Sequence, residues 1–212
     1  MKTVALLMVS ILCCGMVLAG AAPAAAATIN VPADYGTIQA AVTAAAAGDT
    51  VSVSGGPYTG TVMVNNDGHA RNGLTIQGNG VTLNGGFGIT RSGAAGASNV
   101  TIDGFTIDGG GQIGGHKVGV FVWATGCAVK NCTIQNVIGS QCWAIETVGG
   151  SNNLLVQGNT ISGNQAGIYL NPCSGTVIRG NTIADNNGDG SAASGKIGIG
   201  TDTVSNLTVE GN

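Results

Sequence analysis

Charge and aromatic rings are both scarce in this chain: Asp, Glu, Lys and Arg make up 8% of its 212 residues, and Phe, Trp and Tyr only 4%. Glutamate occurs twice, at Glu146 and Glu210, and proline four times. Helical bundles and coiled coils draw on Glu, Lys, Arg and Leu, so the shortage excludes them. Few prolines, and 38 glycines without a three-residue period, exclude collagen. Disorder needs low hydrophobicity with high charge, whereas 43% of the residues are apolar and the formal net charge is -3. The same weak negative charge leaves no basic stripe for phosphates, which argues against a nucleic-acid partner. What the chain has in quantity is Gly, Asn and Thr around short apolar runs. That composition predicts repetitive β-structure with many tight turns.

The first residues read as an address. Lys2 gives a short positive region, Val4 to Leu18 an apolar stretch, and Ala25-Ala26-Ala27 a small-residue cleavage site, so residues 1–27 are expected to be a secretory signal peptide. An apolar core of about 15 residues is short of the roughly 20 needed to span a membrane. Cys13 and Cys14 lack the small residue expected upstream of a lipidated cysteine. The expected location is secreted, cell-surface or periplasmic, with no membrane span after cleavage. Export permits disulfides, and Cys127, Cys132, Cys142 and Cys173 allow three complete pairings. His69 and His116 stand isolated in the sequence, which speaks against a zinc site.

Internal repeats carry most of the information. The segments GLTIQGNGVTL at 73–83, NVTIDGFTIDG at 99–109, CAVKNCTIQN at 127–136, LLVQGNTISGN at 154–164, TVIRGNTIADN at 176–186 and NLTVEGN at 206–212 align. A first inward residue recurs at Ile76, Ile102, Val129, Val156, Ile178 and Val209, and a second, five residues later, at Val81, Ile107, Ile134, Ile161 and Ile183. Between them runs a column of Asn79, Phe105, Cys132, Asn159, Asn181 and Asn212. Asn suits a left-handed turn and can hydrogen-bond from coil to coil. A third strand recurs as GVFV at 119–122, AIET at 144–147, GIYL at 167–170 and GIGT at 198–201. Strands this short cannot bury a face alone, but stacked coils make a continuous core. The expectation is all-β: a right-handed parallel β-helix of about seven coils over residues 51–212, three strands per coil. Residues 28–50 should form an N-terminal strand and a capping helix. In that helix, Thr37 to Ala47, the residues Ile38, Val42 and Ala45 share a face and Gly48 ends it. Because LTVEGN stops in mid-coil without a cap, the chain is expected to be a fragment truncated at its C-terminus.

The chain resembles the pectin-lyase-like right-handed β-helix superfamily. The resemblance lies in the opening INVPADYGTIQAAVTAAAAGDTVSVSGGPYTGTVMV, which starts at Ile29, and in the NTIS and NTIA coils. That opening is similar to the start of many secreted β-helix proteins, pectinesterases and periplasmic copper-accessory β-helix proteins among them. The resemblance implies a protein that binds or processes polysaccharide, and, for an enzyme, a polysaccharide lyase or glycoside hydrolase. The family's catalytic signatures do not carry over. There is no adjacent Asp pair with Gly-His-Gly, Gly115-His116-Lys117 lacks that context, and Gly119-Val120-Phe121-Val122 carries no acid.

Chemistry is therefore sought on outward positions. Beside the first column stand Gln77, Asp103, Lys130, Gln157, Arg179 and Glu210, an alternating charge ladder in which Lys130 and Arg179 could neutralise a uronate. The third strands present Phe121 and Trp123, Glu146 and Val148, Tyr169 and Asn171, then Gly200 and Asp202. Aromatic faces beside acids and amides suit sugar rings, so Phe121, Trp123, Glu146, Tyr169, Asn171 and Asp202 form a candidate glycan-binding strip. No cofactor is required by this reading. Asp185-Asn186-Asn187-Gly188-Asp189-Gly190 starts like a Ca²⁺ loop, with Asp185, Asn187 and Asp189 as ligands, but has Lys196 where a bidentate Glu belongs. Asn99, Asn131 and Asn206 match the N-glycosylation triplet. The expected partner is a polysaccharide or cell-surface glycan; the other function class is a non-catalytic envelope stalk or adhesin.

Overall fold

Each coil opens on a strand with its middle side chain turned inward, and these strands stack in parallel and in register. Ile29, Val51, Ile76, Ile102, Val129, Val156, Ile178 and Val209 are successive partners. The computed structural model describes residues 25–64, 69, 71–90, 97–187 and 197–212, so most of the expected signal peptide, residues 1–24, lies outside the described residues. Among the described residues the first strands form an eight-stranded sheet and the second and third strands an eleven-stranded one. Six turns separate Thr50 from Thr208, each returning the chain to the next rung of the first sheet. The interior is one apolar cluster, and burying each Ile or Val in it stabilises by about 1.5–3 kcal/mol. No described helix is long and apolar enough to cross a membrane.

The second column differs from expectation at its first member. Leu83, not Val81, pairs with Ile107, followed by Ile134, Ile161 and Ile183. The turn Gly78-Asn79-Gly80 is longer than the later ones, so Val81 takes the turn position of Phe105, where its carbonyl accepts the Thr106 N–H. Asn79 is thereby displaced from the column and sits in a left-handed turn, φ 47°. In the early coils Tyr58–Val64 and Thr82–Ile89 run unbroken through the second and third positions, so the three-strand coil holds only from residue 101 onward.

Buried asparagine amides hold the later turns. Asn159 Oδ1 accepts the Cys132 N–H at 2.9 Å while its Nδ2 donates to the Val129 carbonyl and to Asn181 Oδ1; Asn181 repeats the pattern with Asn212. A second stack, Asn164 over Asn186, does the same after the second strand. The residues just before these amides, Gly158, Gly163, Gly180 and Asp185, are left-handed, as is Asn131 before Cys132 in the same column. A further left-handed column, ahead of the first strand, alternates Asn99, Gly126, Asn153, Gly175 and Asn206. The alternation is steric: a Cβ on Gly126 or Gly175 would collide with the Asn99 or Asn153 side-chain oxygen from the preceding coil.

The N-terminal end is covered by the helix Ile38–Ala44, capped by Thr37 Oγ1 accepting the Ala40 N–H. The helix stops short of Gly48 because Ala45 is already extended and the Asp49 carboxylate takes the Ala46 N–H. Gln39 ties the cap to the third-strand edge, its Oε1 accepting the Met63 N–H at 2.7 Å and its Nε2 donating to the Met63 carbonyl at 3.1 Å.

Candidate functional site

The outer face of the third strands is shaped by a bulge. Ala144 and Ile145 both turn into the core, so Trp143 and Glu146, three residues apart, share the outer face. The preceding coil shows the same arrangement, Val118 and Phe121 facing outward around Gly119 and the core residue Val120. Gly119 is required there, since a Cβ would lie 2.5 Å from the Ala144 carbonyl oxygen. Between the second and third positions of this coil a hairpin is inserted, Gly111–Ile113 paired antiparallel with His116–Val118. It folds over the outer face.

Two expectations are corrected by that hairpin. Phe121 is not an open sugar platform: it is 6% exposed and packs with Ile113 and Val118 beneath the hairpin, a small apolar cluster outside the main core. His116 is not isolated either. Its Nδ1 lies 2.8 Å and 3.0 Å from the two Glu146 carboxylate oxygens, and the Glu146 side chain is 3% exposed against 32% for His116. Burial pushes the Glu146 carboxyl above its ordinary value, while the hydrogen bond and the charge of His116 pull it down. His116 also meets Trp143 edge to face, ring centres 5.1 Å apart, and Trp143 stacks on Tyr169 at 5.3 Å and 22°. Trp143 and Tyr169 are both half-buried.

A second row runs beside this one. Trp123 is 38% exposed and, with Phe121, Val148 and Gly149, lines a shallow hollow of about 400 Å³. Asn171 is half-buried and bound through its backbone to the Thr147 hydroxyl. Asp202 is exposed and accepts from the Thr203 hydroxyl. It stands two residues past Gly200, which occupies the Glu146 column, and two coils from Glu146, so the two carboxyls are on the order of 12 Å apart by strand spacing. One buried and one distant acid do not make a paired acid–base site.

Lys130 and Arg179 lie elsewhere, on the first sheet. Lys130 Nζ is 3.5 Å from Asp103 and Arg179 donates to Gln157 Oε1 at 3.2 Å, links within the ladder of outward residues. The structure does not bring them to the aromatic strip. Of the Ca²⁺-loop start, Asp185 and Asn186 are coil residues, Asp185 the left-handed turn and Asn186 a rung of the second amide stack. Asn187 follows, and Asp189 and Lys196 lie outside the described residues. Among the described residues no three His, Cys, Asp or Glu side chains are grouped to hold a metal.

The four described cysteines are buried, and no disulfide joins any two of them. Burial raises the Cys127 thiol to about 11 and the Cys132 thiol to about 12, which keeps both protonated and inert. Asn99, Asn131 and Asn206 are exposed left-handed turn residues.

Sequence reasoning missed the roles of His116 and Trp143. The inserted hairpin and the bulge bring them to the strip, and neither follows from the repeat. A signal existed in the interval from Ile107 to Val120, where Gly109-Gly110-Gly111 and Gly114-Gly115 bracket Gln112-Ile113 as turn residues do.

No curated protein and no solved structure matches the chain. Residues 117–212 match the family described as the right handed beta helix region, and the coils before them continue the same parallel ladders, so the fold of the chain is a right-handed parallel β-helix.

Proposed function

We propose that this is an exported β-helix protein that binds a polysaccharide or cell-surface glycan along the outer face of its third strands. The observation that carries the reading is the Trp143–Tyr169 stack beside exposed Trp123, in a chain with so few aromatic residues. Rings presented on stacked parallel strands offer contacts repeated every 4.8 Å or so, a spacing that suits an extended chain of sugars. Polar groups for hydroxyls flank them: His116, Asn171 and Asp202. Binding without turnover is the expected activity, because Glu146 is committed to His116 and, among the described residues, no second carboxyl stands opposite it. Export is supported by the apolar N-terminal stretch and its Ala-rich end.

The test is affinity electrophoresis against neutral and uronate polysaccharides, with product release followed in parallel. Trp123→Ala and Tyr169→Ala should each weaken binding by about 1–3 kcal/mol while leaving the unfolding midpoint close to wild type. No binding to any polysaccharide would favour the non-catalytic stalk or adhesin, and release of unsaturated or hydrolysed products would make the protein an enzyme.

A further inference from the structure

We propose that His116 is the proton-accepting contact of the glycan face: Glu146 holds the imidazole as its Nδ1–H tautomer, and the bare Nε2 accepts a hydrogen bond from a hydroxyl of a sugar ring lying on the Trp143–Tyr169 stack. This rests on the glycan-binding reading and gives it a chemical direction.

Three observations carry it. A carboxylate accepts and cannot donate, so a Glu146 with both oxygens within 3.0 Å of Nδ1 requires the proton on that nitrogen. In neutral imidazole the other nitrogen is then an acceptor, and among the described residues Nε2 has no hydrogen-bond partner. Finally, the ring is one-third exposed while its partner carboxylate is buried, so the pair is anchored from below and open above. The Trp143 ring lies against it, 5.1 Å between centres, which puts an apolar wall beside the open nitrogen. A buried carboxylate behind a one-third exposed imidazole costs desolvation that an apolar pair would avoid, and a merely structural hairpin clamp would not need it.

The charged and titratable groups around His116 are few. Lys117, next on the same strand, turns its Nζ to the Ile138 carbonyl; Glu146 and Cys142 lie on the neighbouring strand, Cys142 facing the core; Tyr169 lies one coil further. The hairpin strand Gly111–Ile113 carries none.

The experiment combines a ligand-free and a ligand-dependent readout on the full chain. Two-bond ¹H–¹⁵N spectra at neutral pH should show the Nδ1–H tautomer for His116. Binding of a neutral β-glucan, a xylan and polygalacturonate is then measured at neutral pH. For the polysaccharide that binds, His116→Gln should lower affinity about five- to tenfold, the loss of one well-placed hydrogen bond. Glu146→Gln should lower affinity as well, because an amide can donate to Nδ1 as readily as accept from it and no longer fixes the proton there. A dominant Nε2–H tautomer would overturn the proposal, as would affinity indifferent to His116→Gln. If wild type binds none of the three probes, the glycan reading falls and this inference with it. Binding that needs Trp123 and Tyr169 but ignores His116 leaves the reading standing and removes only the inference.

Discussion

Amide side chains do structural work here that branched aliphatics cannot. Asn159 satisfies the Cys132 N–H and the Val129 carbonyl while linking to Asn181, all in the interior. Asn159→Leu fits the space but strands those groups, and should lower stability by roughly 2–4 kcal/mol in urea unfolding. Asn206→Gly, at an exposed left-handed turn, should change it by less than about 0.5 kcal/mol. Glu146 gives a pH signature with its own sign. Its carboxyl is raised in the folded state, so its contribution is fully present below the ordinary carboxylate value and is lost as pH rises through the raised one. The melting temperature of wild type relative to Glu146→Gln should therefore fall as pH rises from the carboxylate range, and a difference independent of pH would contradict the assignment. At this scale the sequence was legible where a residue repeats and opaque where it acts once. The Asn159–Asn181–Asn212 stack could be read from three aligned triplets, whereas His116 is a single residue in an insertion.

The elements follow from period and turn chemistry. The five-residue offset from Ile102 to Ile107 and from Val129 to Ile134 determines register, because a one-residue slip would turn every inward side chain to solvent. The same rule misplaced Val81, since a two-residue longer turn there moved Leu83 into the column. The bulge at Ala144 and Ile145 was hidden because AIET alternates plausibly in either frame, and only packing against Gly119 decides it. Gly119→Ala should force that contact apart and lower the melting temperature by several degrees, with loss of the His116–Glu146 pairing visible in the imidazole resonances. At the cap, Gln39→Ala removes two hydrogen bonds to Met63 and uncovers a strand edge. It should cost about 1–3 kcal/mol and raise light scattering at high protein concentration; unchanged scattering would show that the edge is guarded some other way.

Across the whole molecule, the parallel sheets act as a ruler on which chemistry is mounted at one face and charge ladders at another. Lys130 and Arg179 belong to the first sheet, Trp123, Trp143 and Tyr169 to the third strands, and His116 reaches the aromatic face only through its hairpin. Function is carried by these additions to the repeat, which is why the repeat identified the architecture and left the site half drawn. Asp185 and Asn186 are engaged in the coil itself, so millimolar Ca²⁺ should shift the melting temperature by no more than about a degree, far less than the shift that a stabilisation of roughly 2.7 kcal/mol, expected at one hundred times a dissociation constant, would produce. The central claim is that glycan binds on the third-strand face, and hydrogen–deuterium exchange with and without the polysaccharide selected by electrophoresis tests it most directly. Protection should be confined to residues 111–123, 142–149 and 168–171, with the first sheet unchanged; protection centred on Lys130 and Arg179, or none at saturating polysaccharide, would contradict it.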